Sequence, residues 1–345
     1  MTRLEADSYS AHLRRESTRF RDVLALTKPG IIGGNLIATL GGYFLAAHGT
    51  FDWITFASVM MGIALVIASG CACNNVIDRD IDALMARTRH RPLAKGRISI
   101  TQALGISALL GVAGIVCLAL GTNGLTVALA VIGWGVYVGV YSLYMKRHSE
   151  YGTLVGSLSG AMPPVVGYCA VTGQFDSGAL MLLVIFCLWQ MPHSYAIAIF
   201  RYADYRRASI PVLPVVHGIK RAKHHILGYI VAFIPASLAL VLASQAGAGY
   251  LCVALTMGGY WLYLALCGYR LDDDVRWAKK VSMSGNPVTG SSMGVILYQP
   301  SASTWPLVCL FSMAPPSVYS IFLYSDQTAG SAWAAWGNSR ESVTI

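Results

Sequence analysis

Apolar residues in this chain come in long, nearly unbroken runs. Eight runs of about 20 residues cover 31–47, 53–75, 100–121, 125–144, 153–171, 179–200, 225–243 and 250–268. A run of that length crosses the hydrocarbon core of a bilayer as a helix, which satisfies its backbone polar groups internally. The pattern therefore predicts an all-α fold, a polytopic transmembrane helix bundle with eight clear spans. Thr27-Lys28-Pro29-Gly30 before the first run reads as a helix-entry signal, with Pro near the first turn. A ninth span over 302–324 is an uncertain expectation, because Pro315-Pro316 interrupts it.

The polar residues sharpen this picture. Connectors 48–52, 122–124, 172–178 and 244–249 hold no Lys or Arg. Of the 25 Lys and Arg, all but Arg340 fall in 1–30, 76–99, 145–152, 201–224 and 269–280. This segregation follows the positive-inside rule and predicts a cytoplasmic N-terminus and cytoplasmic basic loops. It also explains the net charge of +9 without a nucleic-acid partner. Charged residues make up 12% of the chain and hydrophobic ones 55%, which excludes a disordered chain and argues against a soluble globule. The acids Glu5, Asp7, Glu16 and Asp22 argue against a transit peptide, so residues 1–30 read as a cytoplasmic extension. Most cysteines lie in or beside apolar stretches and read as small core residues. The expected localisation is a bacterial inner membrane.

Two of the basic connectors, 76–99 and 201–224, are far longer than the connectors opposite. Long loops of this kind tend to be functional. The first opens as Cys73-Asn74-Asn75-Val76-Ile77-Asp78-Arg79-Asp80-Ile81-Asp82. Asn74, Asp78 and Asp82 stand at i, i+4 and i+8, on one helical face. Such a stack of oxygen-bearing groups calls for a cation, and hard oxygen ligands suit Mg²⁺ shared with substrate phosphates. Asp80 points elsewhere. Arg87, Arg89, Arg91, Lys95 and Arg97 follow, and guanidinium groups match phosphate oxygens. Acids for a metal beside bases for phosphate describe a diphosphate site. The plainer reading of the arginines is a salt-bridged cytoplasmic loop.

The sixth run ends Trp189-Gln190-Met191-Pro192-His193, and Asp204-Tyr205 follows in the second long loop. An ionisable residue within a span is a functional candidate. His193 suits an iron ligand, an acid-base group or a helix-packing hydrogen bond. Asp204 suits a second metal site or a pair with Arg201 or Arg207.

Asn-Asn-x-x-Asp-x-x-x-Asp followed by Arg-x-x-x-Arg-Pro-Leu resembles the intramembrane prenyltransferase (UbiA) superfamily. The Trp-Gln-Met-Pro-His run, with Ile210-Pro211-Val212-Leu213-Pro214 after it, is similar to the branch that farnesylates protohaem IX. The resemblance spans about residues 25–280 and implies a nine-helix prenyltransferase fold with a cytoplasmic active site. It implies farnesyl diphosphate and haem B as substrates, Mg²⁺ as cofactor, and haem O and diphosphate as products. It assigns Asn74, Asp78 and Asp82 to metal and diphosphate. Arg87 and Arg91, with Lys95 and Tyr205, would bind substrate phosphate or a haem propionate. His193 would face the haem, and Asp204 would be the second-loop aspartate. A downstream haem A synthase or terminal oxidase is an implied partner.

The expected domains are 1–30, a transmembrane enzyme domain at 31–280, and an atypical tail at 281–345. That tail is Ser-rich and lacks a recognisable final helix, which a reading-frame change after about residue 281 would explain. In the implied reaction, a farnesyl cation is captured by a haem vinyl group and water then adds. Tyr137, Tyr141, Tyr144 and Trp134 are candidates for stabilising it, against a plainer packing role. The rival functions are a quinone-precursor prenyltransferase and a cation-coupled transporter. The single Asp204 argues against the first. Carboxylates at helix ends beside arginines, not at the midplane, argue against the second.

Overall fold

The computed structural model describes residues 20–47, 50–243 and 246–297, with the backbone alone for 286–297. The described residues are helical, with no strand. Helix α1 covers 20–27, followed by α2 (Pro29–Ala47), α3 (Trp53–Ile77), α4 (Arg79–Leu84), α5 (Ile100–Gly121) and α6 (Gly124–Gly135). A π-helix (Val136–Met145) leads into α7 (Lys146–His148), then α8 (Gly152–Gly160) and α9 (Met162–Thr172). The chain continues through α10 (Ser177–Phe200), α11 (Tyr202–Arg207), α12 (Leu213–Leu242), α13 (Ala248–Cys267) and α14 (Asp274–Leu297). Eight of the resulting segments are long and apolar enough to span, as the hydrophobic pattern predicts.

Polar residues set the helix starts on the Lys/Arg-free side. Asp52 accepts from Ile54 N at 3.1 Å, Asn123 from Thr126 N at 2.9 Å, and Asp176 from Ala179 N at 3.1 Å. Each cap satisfies donors that the first turn would otherwise leave bare. On the other side, Ser99 and Gln102 form a capping box at the start of α5. All seven described cysteines are free thiols.

Two segments differ from the pattern-based reading. The seventh span starts at Leu213, not at residue 225. Its first turns carry Lys220, Arg221 and Lys223, so they are not apolar as a run. They still bury one face, since Ala222 and Ile226 are fully covered. Gly218, at φ 82° and ψ 162°, breaks this helix and permits a kink that a side chain would strain. The fourth span winds as a π-helix over its second half, which apolar periodicity does not reveal. Helix α14 runs unbroken from Asp274 to Leu297, across residue 281. Residues 302–324, the expected ninth span, lie outside the described residues.

The bundle closes because α14 packs on α10 and α13 and also reaches α2. Side chains grip α14 by its main chain. Trp189 Nε1 donates to Gly285 O at 2.8 Å, and Trp261 Nε1 to Val281 O at 2.9 Å. Elsewhere, close helix approach depends on absent side chains. A Cβ on Gly42 of α2 would overlap the Pro164 carbonyl of α9, and one on Gly167 would overlap the Thr39 carbonyl. Small residues at such crossings suit a membrane, where packing replaces the hydrophobic drive.

Gly167→Leu is therefore expected to destabilise the bundle by about 1–3 kcal/mol through overpacking. Gly259→Ala, whose Cβ meets open space, is expected to leave stability unchanged or slightly raised. Melting temperatures in detergent check both.

Candidate active site

The Asn74 face is set by the junction of α3 and α4. Asp78 N donates to Asn74 O at 2.9 Å, and Asp82 N to Asp78 O at 2.7 Å. The helical stagger thus survives the junction, and the three side chains share a face as their spacing predicts. All three are buried, Asp78 most deeply at 1% exposure. Asp80 turns away to solvent. There Arg147 makes two hydrogen bonds of 2.7 Å to it, which hold its carboxyl down at about 2.

Cations converge on this face from distant parts of the chain. Lys146 pairs with Asp78 Oδ2. Arg91 Nη1 meets Asp82 Oδ2 at 2.8 Å and Asn75 Oδ1 at 3.2 Å. Lys28 Nζ donates to Asn74 Oδ1 at 2.6 Å. Burial, and then the charge of Arg91, lowers the Lys28 ammonium from 10.5 to about 8. Lys28 holds φ 53°, a left-handed conformation that costs a non-glycine residue about 1–2 kcal/mol. Its buried bond to Asn74 offsets that strain. Asn74 Nδ2 bonds both Asp78 Oδ2 at 2.8 Å and Ser142 Oγ at 3.0 Å. Ser142 in turn donates to Tyr137 O, five residues back, in π-helical register. Among the described residues, one buried side-chain polar atom lacks a hydrogen-bond partner: Asp78 Oδ1.

Lys146 also lines a cavity of about 200 Å³ beside the acidic face. Tyr137 and Tyr141 of the π-helix form one wall, their rings stacked at 6.1 Å. Gln190, Ser194 and Ile197 of α10 also line it. Tyr205 and Ile210-Pro211-Val212 of the second long loop add to the lining, as do Ser149, Thr153 and Ser157 in and before α8. The site is thus two linked parts, a charged shelf and a chamber of mixed polar and apolar lining below it.

The expected residues do not all meet here. Asn74, Asp78, Asp82 and Arg91 do, and Tyr205 reaches the chamber. Arg87 is half-buried after α4, and Lys95 is exposed. Asp204 is buried, but its Oδ1 accepts from Ala86 N at 3.0 Å. It thereby ties the second long loop to the first. The His193 ring stacks on Trp189 at 5.2 Å, and its Nδ1 donates to Ser282 O at 3.1 Å. That bond makes Nε2 the lone-pair nitrogen of the neutral ring. His193 is not among the residues lining the chamber. Of the aromatic candidates, Tyr137 and Tyr141 line it. Tyr144 is exposed, and Trp134 Nε1 donates to Ser69 Oγ at 3.2 Å. No group of three His, Cys, Asp or Glu placed to hold a metal occurs among the described residues. The metal-suited face is two carboxylates and an amide.

Lys28, Ser142 and Lys146 escaped sequence reasoning. Lys28 read as part of a helix entry and Lys146 as one basic loop residue among several. The only signal was their position at span ends on the basic side, where a long stem lets a charge reach inward.

Residues 35–286 match the UbiA prenyltransferase family. The chain is 63% identical over 258 residues to a protoheme IX farnesyltransferase from Chromohalobacter salexigens, covering 75% of this chain and 88% of that protein. It is 60% identical over 262 residues to one from an Enterobacter species, covering 76% and 89%. A solved digeranylgeranylglyceryl phosphate synthase shares the fold, with a TM-score of 0.67 at 19% identity, over 81% of this chain and 99% of the other. A UbiA homologue from Archaeoglobus fulgidus, bound to GPP and Mg²⁺, superposes with a TM-score of 0.59 at 13% identity, over 80% and 99%.

The Asp204 bond generates a prediction. Asp204→Ala is expected to cost about 1 kcal/mol locally and to speed tryptic cleavage at Arg87 and Arg89 roughly fivefold. Asp204→Asn keeps the acceptor and is expected to cleave at the parental rate. Initial rates of limited proteolysis decide between them.

Proposed function

The chain belongs to the UbiA prenyltransferase family, and from that premise we propose that it transfers the farnesyl group of farnesyl diphosphate to a vinyl group of haem B. Water adds in the same reaction, giving haem O and diphosphate. One observation carries the reading at the level of the site. The Asp78 carboxylate is buried, with one oxygen on the chamber-lining Lys146 and the other without a partner. A buried, half-satisfied carboxylate is costly unless something else occupies the site.

The donor set fits Mg²⁺: hard oxygens, two of them carboxylate, and an orphaned buried oxygen among them. Asn74, Asp78 and Asp82 would hold the ion, whose charge offsets that of the diphosphate. The protein's own cations do the rest. Lys28 donates to the Asn74 amide oxygen, while Lys146 and Arg91 neutralise Asp78 and Asp82. An arriving diphosphate offers them stronger anionic partners, and they stabilise charge as the C–O bond breaks. Arg87, Lys95 and Tyr205 belong to the same substrate-binding loops. Below the shelf, the stacked Tyr137 and Tyr141 rings face an allylic cation with their negative π surfaces. We assign His193, with its lone pair on Nε2, to the haem side of the reaction. Asp204 holds the two loops that cover the charged shelf.

The Lys and Arg segregation supports an integral inner-membrane protein with the shelf on the cytoplasmic side. Diphosphate from the cytosol reaches the shelf there, and both apolar substrates approach from the lipid. A haem A synthase or a terminal oxidase is the proposed recipient of the product.

Membranes containing this chain, given haem B, farnesyl diphosphate and Mg²⁺, are expected to form haem O, detected by mass. EDTA is expected to abolish the product. Asp78→Ala is expected to lower turnover by at least about a thousandfold, the scale of losing an electrostatic anchor of the leaving group. Insertion should be unchanged. Normal turnover in that variant would remove Asp78 from the site.

A further inference from the structure

The chamber is not uniformly apolar. Gln190 and Ser194 lie one turn apart on α10 and both line it. Gln190 sits ten residues before the Phe200 end of its span, about 15 Å from the charged shelf's side of the membrane. A polar amide at that depth is expensive in a bundle whose other α10 positions are almost all apolar. Among the described residues, no protein group hydrogen-bonds the Gln190 amide or the Ser194 hydroxyl. Space is made for the amide as well. A Cβ on Gly160 of α8 would overlap it, so the missing side chain there is what seats Gln190. Met191 and Pro192, between them, are buried in the core instead.

Two residues that line a cavity with unpaired groups able both to donate and to accept suit a bound water. They stand in the same chamber as the Tyr137–Tyr141 ring pair. We propose that Gln190 and Ser194 hold the water that ends the reaction, and so decide that the product is an alcohol and not an alkene. This rests on the haem-farnesylating reading above.

The chemistry balances as follows. The farnesyl C1–O bond breaks and its electron pair leaves with diphosphate. The vinyl π pair forms the new C–C bond to C1, which leaves positive charge on the vinyl carbon attached to the macrocycle. The oxygen of the held water donates a lone pair to that carbon and forms the C–O bond. Its surplus proton passes to the released diphosphate, the base left by the first step. There is no net oxidation or reduction. A cation without a placed water loses a proton from the adjacent CH₂ to the same base instead. The product is then a farnesylated haem lighter by one water. Gln190 and Ser194 are positioning residues in this scheme, since they act through the water.

The test is product partition by mass. Gln190→Met keeps the volume that Gly160 accommodates, and Ser194→Ala removes only the hydroxyl. In both, the share of the one-water-lighter product is expected to rise roughly tenfold, the scale of one lost hydrogen bond. Total farnesylated haem should stay within a few-fold of the parent's. Ser194→Thr, which keeps a hydroxyl, is expected to give haem O as the parent does. Variants that make haem O alone overturn the assignment. Variants that insert normally but make no farnesylated haem overturn it too, because the water acts after C–C bond formation. A parent chain that yields neither product overturns the haem-farnesylating reading itself, an outcome distinct from both.

Discussion

A carboxylate at 1% exposure inside a membrane protein dictates much of what surrounds it. Moving a charge from water to such a place costs several kcal/mol after relaxation, and only a close partner offsets it. Asp78 has Lys146 on one oxygen, and Asn74 supports the same oxygen through its amide. Asn74 lies one helical turn before the acid, but Lys146 is far from it in the chain. Lys146 arrives at the end of a π-helix, sixty-eight positions along the chain. Asn74 is held in turn by Lys28 and Ser142. One buried charge thus couples the start of α2, the α3–α4 junction and the π-helix into a single polar cluster.

That cluster explains two local departures from regular geometry. Lys28 accepts a left-handed backbone because its ammonium then reaches Asn74. The π-helix is widened by one residue per turn, and in that register the Ser142 hydroxyl meets the Tyr137 carbonyl. The same segment brings Tyr137, Tyr141 and Lys146 to the chamber. Strain at Lys28 and irregularity in the π-helix therefore fall where polar chemistry is required. In a low-dielectric setting, the same charges act strongly on an incoming anion.

Much of the site was legible in local spacing. The i, i+4, i+8 stagger of Asn74, Asp78 and Asp82 needed only helical continuity, which the backbone bonds across the α3–α4 junction supply. The outward turn of Asp80 followed from the same geometry. Arg91 was legible as a base near acids, though not as the partner of Asp82 in particular. The second loop was harder to read. Asp204 looked like one more site acid, but its side chain caps a backbone N–H of the other loop. His193 stood out as ionisable within a span, yet its Nδ1 turns to the α14 backbone. Gln190, in the same motif, is the residue that faces the chamber. One helix presents positions 190 and 194 in one direction and 193 in another, and only its neighbours decide which direction is the cavity.

By itself the sequence determined the membrane class, the eight spans, their alternating direction and the acid stack on α3 and α4. Each follows from a short-range rule: hydrocarbon thickness, charge segregation across a bilayer, or the helical repeat. The tertiary structure decided which cations meet those acids, which wall of α10 lines the chamber, and where α12 begins. These depend on contacts between residues far apart in the chain, and on a π-helical register that apolar periodicity does not encode. A lysine at the end of a span can extend toward lipid headgroups, water or a buried carboxylate. Only the packed bundle places Asp78 within its reach.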